Sequence, residues 1–343
     1  MLIKKKKIPV KEIILIGFLP SFLKKIIYRL KGYKIGNNVS FGIGSVIIGS
    51  DVIIGDNSSF GLVSVVRANK INIGRHVTIG ALTMIDTEKF SIDDDSRINE
   101  KVIVGGIKTP ESMLKIGKRA IIMEYSFINP TKPIIIGDDT GIGGHCLLFT
   151  HGSWLSQMDG FPVTFAPITL GDRVWLPWRV FIMPGVEIGN EVVIGANSLI
   201  SKSLPSNVLA AGSPAKILVE NYPKQISEEK RLNLFNQIIS DFLGYMEFNN
   251  YEIVYSKKEE NISILLKKKK REHEIFIAFN EVCHSFKNKN NILILDYPSD
   301  NKLIDNTSMI LNLNNKSRSG SSEVGEEFTK FLSRYGVRFN RPN

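Results

Sequence analysis

The chain has 343 residues, of which 43% are hydrophobic and 23% charged, with a formal net charge of +10. That length exceeds one ordinary compact core and predicts two domains unless the architecture is elongated, and the two cysteines, Cys146 and Cys283, are too few for a disulfide framework. No apolar run reaches the roughly 20 residues that cross a bilayer, and neither basic run carries the interleaved aromatics or reading module of a nucleic-acid binder.

Residues 1–34 open with Lys4, Lys5, Lys6 and Lys7, then place Ile13, Ile16, Leu19, Leu23, Ile26, Ile27 and Leu30 among Lys24, Lys25, Arg29 and Lys31. The pattern predicts an amphipathic helical segment. It has two readings: a helix attracted to anionic lipid at the inner membrane face, or a helix that caps the next domain and turns a solvated basic face outward. A basic start before a short apolar stretch raises the question of a signal peptide, but no small-residue cleavage site follows. A cytoplasmic protein is expected, with peripheral contact to the membrane surface as the alternative.

From about residue 35 an aliphatic or aromatic residue followed by glycine recurs at short intervals: Ile35-Gly36, Phe41-Gly42, Ile48-Gly49, Ile54-Gly55, Phe60-Gly61, Ile73-Gly74 and Ile79-Gly80. Ile92-Asp93 and Ile98-Asn99 are degenerate copies, and Ile116-Gly117, Ile136-Gly137 and Ile142-Gly143 continue the series. The period becomes strict at Leu170, Leu176, Ile182, Ile188, Ile194 and Ile200. A hexad makes one short strand and one turn, three hexads make a triangular coil, and each coil buries its aliphatic row only against its neighbours. Glycine beside the aliphatic residue serves a corner where the backbone turns sharply. Residues 35–219 are therefore predicted to form a parallel β-helix, with the breaks in register thrown out as loops, the largest at residues 150–169.

That loop follows "GHCLLFTHGSW", which holds His145 and His151. Each is read in three ways: a catalytic base, a metal ligand, or a polar residue that only packs. Cys146, inside an apolar run, reads as core. A zinc site of the kind hexapeptide β-helices share with γ-type carbonic anhydrases needs three protein nitrogens; His76, His145 and His151 are the histidines of the repeat, and His76 lies coils away, so no metal is expected.

The stretch "LGDRVWLPWRVFIMPGVEIGNEVVIGANSLISKSLPSNVLAAGSPAKIL" resembles the end of a hexapeptide-repeat acyltransferase with a left-handed parallel β-helix, in the branch of sugar and polysaccharide O-acetyltransferases. The resemblance implies an acetyl-CoA donor, a homotrimer with sites between neighbouring β-helices, and a saccharide acceptor such as a capsule or lipopolysaccharide precursor. It implies that His151, at the base of the loop, takes the proton from the acceptor hydroxyl, with donors such as the Gly152 backbone facing the oxyanion. Trp175 matches the family tryptophan near the acyl group, with His145 and Trp178 as further acceptor-site residues. Gly195, Ala196 and Ser198 are implied to line the donor groove, Ala211, Gly212 and Ser213 to shape its exit, and Lys202 and Lys216 to meet its phosphates. The sequence departs from the family at Pro177, where glycine is usual, and at Trp178. N-acetylation of a nucleotide-linked amino sugar and a non-catalytic trimeric scaffold are the alternatives.

Residues 220–343 change character. Residues 227–248 carry apolar positions at helical spacing, short β-type runs follow at 251–255, 262–266, 274–278, 292–295 and 309–313, and a last helix is predicted at 322–335 with Ser321 or Ser322 as its cap. This reads as a small α/β accessory domain in which His284 and Asp296 are isolated polar residues.

Overall fold

The computed structural model describes residues 9–258, 261–279, 290–295 and 307–340. Lys4, Lys5, Lys6, Lys7, Cys283, His284 and Asp296 lie outside the described residues. The chain divides into two compact units, Met1–Lys224 and Gln225–Asn343.

The first unit is a parallel β-helix. Its chain visits three sheets in turn, and the strands of the coil pair in parallel with those one coil away, the antiparallel pairs being His151–Gly152 with Thr164–Phe165 and Val208–Gly212 with Ala215–Glu220. The first face stacks Ile35, Ile54, Ile73, Ile92, Ile116, Ile136, Leu170 and Ile188 inward, and the second stacks Phe41, Phe60, Ile79, Ile98, Ile122, Ile142, Leu176 and Ile194. On the third face the rungs are Ile47, Val66, Ile85, Val104, Ile128, Leu148, Ile182 and Ile200. All except the half-buried Ile35 are buried, most of them completely, and burying each such side chain contributes about 1.5–3 kcal/mol.

The third face corrects the sequence reading. The inward residue of the first coil is Ile47, and Ile48 beside it is only partly buried. Val66, Ile85, Ile128 and Leu148 escaped the hexad count because no glycine follows directly after them, and Val104, though followed by Gly105, because 12 residues separate it from the next inward residue, Ile116. The interval from first to second face and from second to third is always six residues, whereas from third back to first it runs from six (Ile182 to Ile188) to 22 (Leu148 to Leu170). All the slips thus fall on one edge.

The two invariant corners share a backbone device. Asn38, Asn57, His76, Asp95, Arg119, Asp139, Arg173, Glu191 and Asn207 hold the left-handed conformation at the first, and Val63, Leu82, Lys101, Tyr125, His145, Arg179 and Asn197 hold it at the second. Such conformations are costly for residues with a Cβ, so they persist through the stacked hydrogen bonds of every coil. At the first corner a ladder supplies them: Asp56 accepts from Asn37 N (2.6 Å), Asp94 from Arg75 N (2.7 Å), Asp138 from Lys118 N (2.8 Å) and Asp172 from Asp138 N (2.7 Å). The preceding glycine is sterically required, since a Cβ on Gly137 would lie 2.5 Å from the carbonyl carbon of Gly171.

The helix Ser21–Leu30 closes the N-terminal end of the coil. It brings side-chain partners to the open edges of the first coil: Ser21 Oγ accepts from Phe41 N (3.0 Å), Tyr28 OH from Ile47 N (2.9 Å), and Arg29 donates to Ile35 O (3.1 Å). Lys24, which the sequence placed on a basic outer face, is fully buried, and its Nζ donates to the carbonyls of Gly42 (2.6 Å) and Ser45 (3.0 Å). An exposed sheet edge invites pairing with another chain; here side chains satisfy it. Among the described residues no helix is long and apolar enough to cross a membrane.

The second unit packs two helices on a six-stranded mixed sheet. Its helices are Glu228–Phe248 and Glu323–Ser333, capped by Ser227 and Ser322. The strands run in chain order across the sheet, from Glu252–Lys258 to Ser317–Gly320, with the last strand being one that the sequence did not reveal. Phe242 of the first helix meets Phe328 and Phe331 of the second through edge-to-face ring contacts that join the two helices.

Candidate functional site

His151 stands where the third face gives way to the protruding loop. Thr150 before it is fully buried, its hydroxyl donating to Asn129 O (2.6 Å) and accepting from Lys132 N (3.0 Å). Residues His151–Gly152 then pair antiparallel with Thr164–Phe165, forming the base of an arm. The imidazole is half-buried and stacks on Phe165, ring centroids 5.6 Å apart at 12°.

The neighbours of the ring set its tautomer. Thr131 Oγ1 donates to Asn129 Oδ1 (2.8 Å), so its one proton is committed. Toward His151 Nδ1, 3.3 Å away, that hydroxyl serves as acceptor, which puts the imidazole proton on Nδ1 and the lone pair on Nε2. Burial moves the His151 pKa below its ordinary value, because the charged form is disfavoured there. The arrangement is that of a neutral imidazole able to take a proton at Nε2. The orienting pair, Asn129 and Thr131, was missed in the sequence because it lies about one coil upstream.

The other predicted residues occupy other parts of the coil. Trp175 projects outward from the second face, 36% exposed, over Gly141, whose missing Cβ leaves room for the indole. Trp178 covers Gly144 in the same way and packs against His145, centroids 5.8 Å apart. His145 in turn stacks on Tyr125 (5.0 Å, 9°), whose hydroxyl meets Lys101 Nζ at 2.8 Å. Tyr125 and Lys101 were not anticipated; their signal is the second-corner register they share with His145. Pro177 fits the regular corner, with Cys146 Sγ donating to its carbonyl (3.0 Å). Cys146 is core as expected, its thiol pushed up to about 11 by burial.

Among the described residues no hydrogen bond or ring contact joins His151 to Trp175, His145 or Trp178. His151 belongs to the variable edge, the aromatic set to the second face and its corner. His76 takes a left-handed corner residue's place far from both, and no cluster of three His, Cys, Asp or Glu side chains suited to a metal exists among the described residues.

Near the end of the coil, Ala196, Gly212, Ser213, Lys202 and Lys216 are exposed, and Gly195 and Ala211 are half-buried and in close contact. Small residues beside two exposed ammonium groups fit a slender donor arm with anionic phosphates. Ser198 departs from the expectation. It is 2% exposed, its hydroxyl donating to Gly195 O (2.7 Å) and accepting from Gly212 N (3.0 Å), because the small residue of a hexad points into the coil. It ties Gly195 to Gly212 from inside the coil and has no face to offer a ligand.

A parallel β-helix of six-residue rungs, interrupted by an arm with a histidine at its base, defines a hexapeptide-repeat protein. No family model matches the chain. It is 34% identical over 125 residues to the putative colanic acid biosynthesis acetyltransferase WcaF of Escherichia coli K12, a match covering 31% of this chain and 69% of that protein. It is 50% identical over 90 residues to the galactoside O-acetyltransferase of the same organism, covering 25% of this chain and 44% of that one. Among solved structures, the polySia-specific acetyltransferase NeuO aligns over 57% of this chain and 90% of its own at 20% identity, with a TM-score of 0.37. The chain belongs to the hexapeptide-repeat acyltransferases, with a left-handed β-helix.

Proposed function

We propose that the protein O-acetylates a hydroxyl of a cell-surface saccharide, of capsule or lipopolysaccharide type, with His151 as general base. One observation carries the role of His151: its Nδ1 proton is committed to Thr131, which leaves Nε2 as a base, and burial keeps the ring neutral at neutral pH. The donor supplies the acyl group as a thioester; Nε2 takes the acceptor's hydroxyl proton as the oxygen attacks the carbonyl carbon, the carbon–sulfur bond breaks, the sulfur leaves as the thiol with the proton that Nε2 returns, and no side chain of this protein carries the acyl group. The saccharide class is supported by the relatives named for colanic acid biosynthesis and galactoside acetylation.

We infer a homotrimer from the arm. Trp154 and Met158 near its tip are 96% and 97% exposed, and Leu155 and Phe161 are about half exposed. A concentration of large apolar side chains on one projecting segment marks a surface that another molecule covers, and neighbouring copies of the β-helix are the occupant this reading assigns to it. Catalysis is assigned to the cytoplasm, where acetyl-CoA is found, with peripheral contact to an anionic membrane through the N-terminal helix. Phe18, Phe22, Ile26 and Leu30 line its outer side, 51–82% exposed, beside the exposed Arg29 and Lys31.

The test is His151→Ala, assayed with acetyl-CoA and a panel of sugars alongside amine-bearing nucleotide sugars. Transfer is expected to fall about 10²–10⁴-fold while acetyl-CoA still raises the Tm. Equal rates in variant and parent overturn the base, and preference for the amine acceptors overturns the O-acetyl assignment.

A further inference from the structure

We propose that the second unit carries its own binding site for a sugar residue, in a cavity where the end of helix Glu228–Phe248 meets the sheet and the first turn of helix Glu323–Ser333. The proposal rests on the saccharide reading above for its ligand class, and on this cavity's own residues for its existence. The cavity holds about 190 Å³, which is the liquid volume of roughly six waters and suits one small ring.

At its wall His273 is only 3% exposed. The Asn290 carbonyl oxygen accepts from Val324 N (3.5 Å), which turns the amide nitrogen of Asn290 toward His273 Nδ1 at 2.6 Å. Nδ1 is therefore an acceptor, and the imidazole proton sits on Nε2. That buried Nε2–H has no hydrogen-bond partner among the described residues. A buried donor left without a partner carries the full cost of its desolvation, so a group in this position is one that a ligand oxygen completes.

The rest of the lining says what sort of oxygen. Lys268 Nζ gives one proton to Asn249 O (2.6 Å), stands 4.9 Å over the Tyr251 ring, and keeps two more donors. Glu327 accepts from Tyr245 OH (3.1 Å) and Glu323 from Arg271 (2.9 Å), each carboxylate keeping further lone pairs. A phosphate would meet two carboxylates here. A metal ion would meet a protonated Nε2 and an ammonium group, and an apolar molecule would leave His273 unpaired. A ring bearing several hydroxyls satisfies both kinds of group at once, donating to Glu323 and Glu327, accepting from His273 and Lys268, and resting on Tyr251. The unit would then hold a second residue of the saccharide, apart from the residue being acetylated.

The test uses the full chain, labelled at histidine Cε1, titrated with galactose, glucose, N-acetylglucosamine and a short oligosaccharide of each, with calorimetry in parallel. One of the five histidine resonances, identified by its loss in His273→Gln, is expected to shift on saturation, and affinity to fall at least tenfold in His273→Gln and in Glu327→Gln. The second variant keeps the Tyr245 bond and reads the site if the first fails to fold; far-UV circular dichroism and the unfolding midpoint of each variant beside the parent's check its fold. An unmoved His273 resonance across the panel, or unchanged affinity in both variants, overturns the site. Sugar acetylation with no response at His273 removes this site and leaves the catalytic reading standing. A response at His273 with no sugar acetylated does the reverse.

Discussion

His151 and Lys24 are both titratable groups moved by burial, and the shift bears on activity at one and on stability at the other. In the role proposed for His151 the working form is the neutral one, and burial shifts its pKa below the ordinary 6.5. The acid limb of kcat/KM is therefore expected to fall below that value, and Thr131→Val, which removes the partner of Nδ1, is expected to lower kcat with donor affinity intact. For Lys24 burial depresses the pKa from 10.5 to about 8. Between those values the unfolded chain binds more protons than the folded one, so stability rises with pH across that window and is flat below about 8. Tyr28, pushed up to about 12, works in the opposite sense only above about 10. A urea midpoint measured between 8 and 10 should exceed one measured at neutrality in the parent, and the rise should vanish in Lys24→Met; an equal rise in the variant would sink the assignment. At this scale the sequence located His151 by its position before the loop. It misjudged Lys24 and Ser198, because whether a polar side chain enters the core depends on which backbone groups lack partners, and residue type does not encode that.

For the coils, the informative contrast is between two glycines. Gly137 faces the backbone of the next coil, which has nowhere to move, so Gly137→Ala should cost about 1–3 kcal/mol by thermal or urea unfolding. Gly152, with nothing within 4 Å of a built Cβ, should tolerate alanine within about 0.5 kcal/mol. Similar losses at both would mean that stacking does not dictate the repeat. The first and second faces were legible because a glycine or polar corner follows their inward residues at a fixed interval. The third face was legible only in the last coils, since the interval after it varies and a count in sixes loses its phase there. The accessory unit's helices and most of its strands followed from apolar spacing and, for the last helix, from a serine cap. Its cavity did not, because His273, Asn290 and Glu323 meet only through sheet pairing and the entry angle of a helix.

For the whole molecule, replacing residues 153–163 with a short turn should leave the β-sheet content of the chain unchanged while the particle drops from three chain masses to one in light scattering, and transfer should be lost with it. A trimer that survives without the arm would move the interface elsewhere. The edge that carries the arm has a wider meaning. Two corners of every coil are locked by left-handed residues and admit no change of length, whereas the third accepts from one to many extra residues without disturbing the stack above or below it. The molecule behaves as a ruler with two engraved edges and one blank margin: new segments written into that margin alter what the enzyme touches while the rungs keep their count, so specificity can diverge without refolding the scaffold that holds His151.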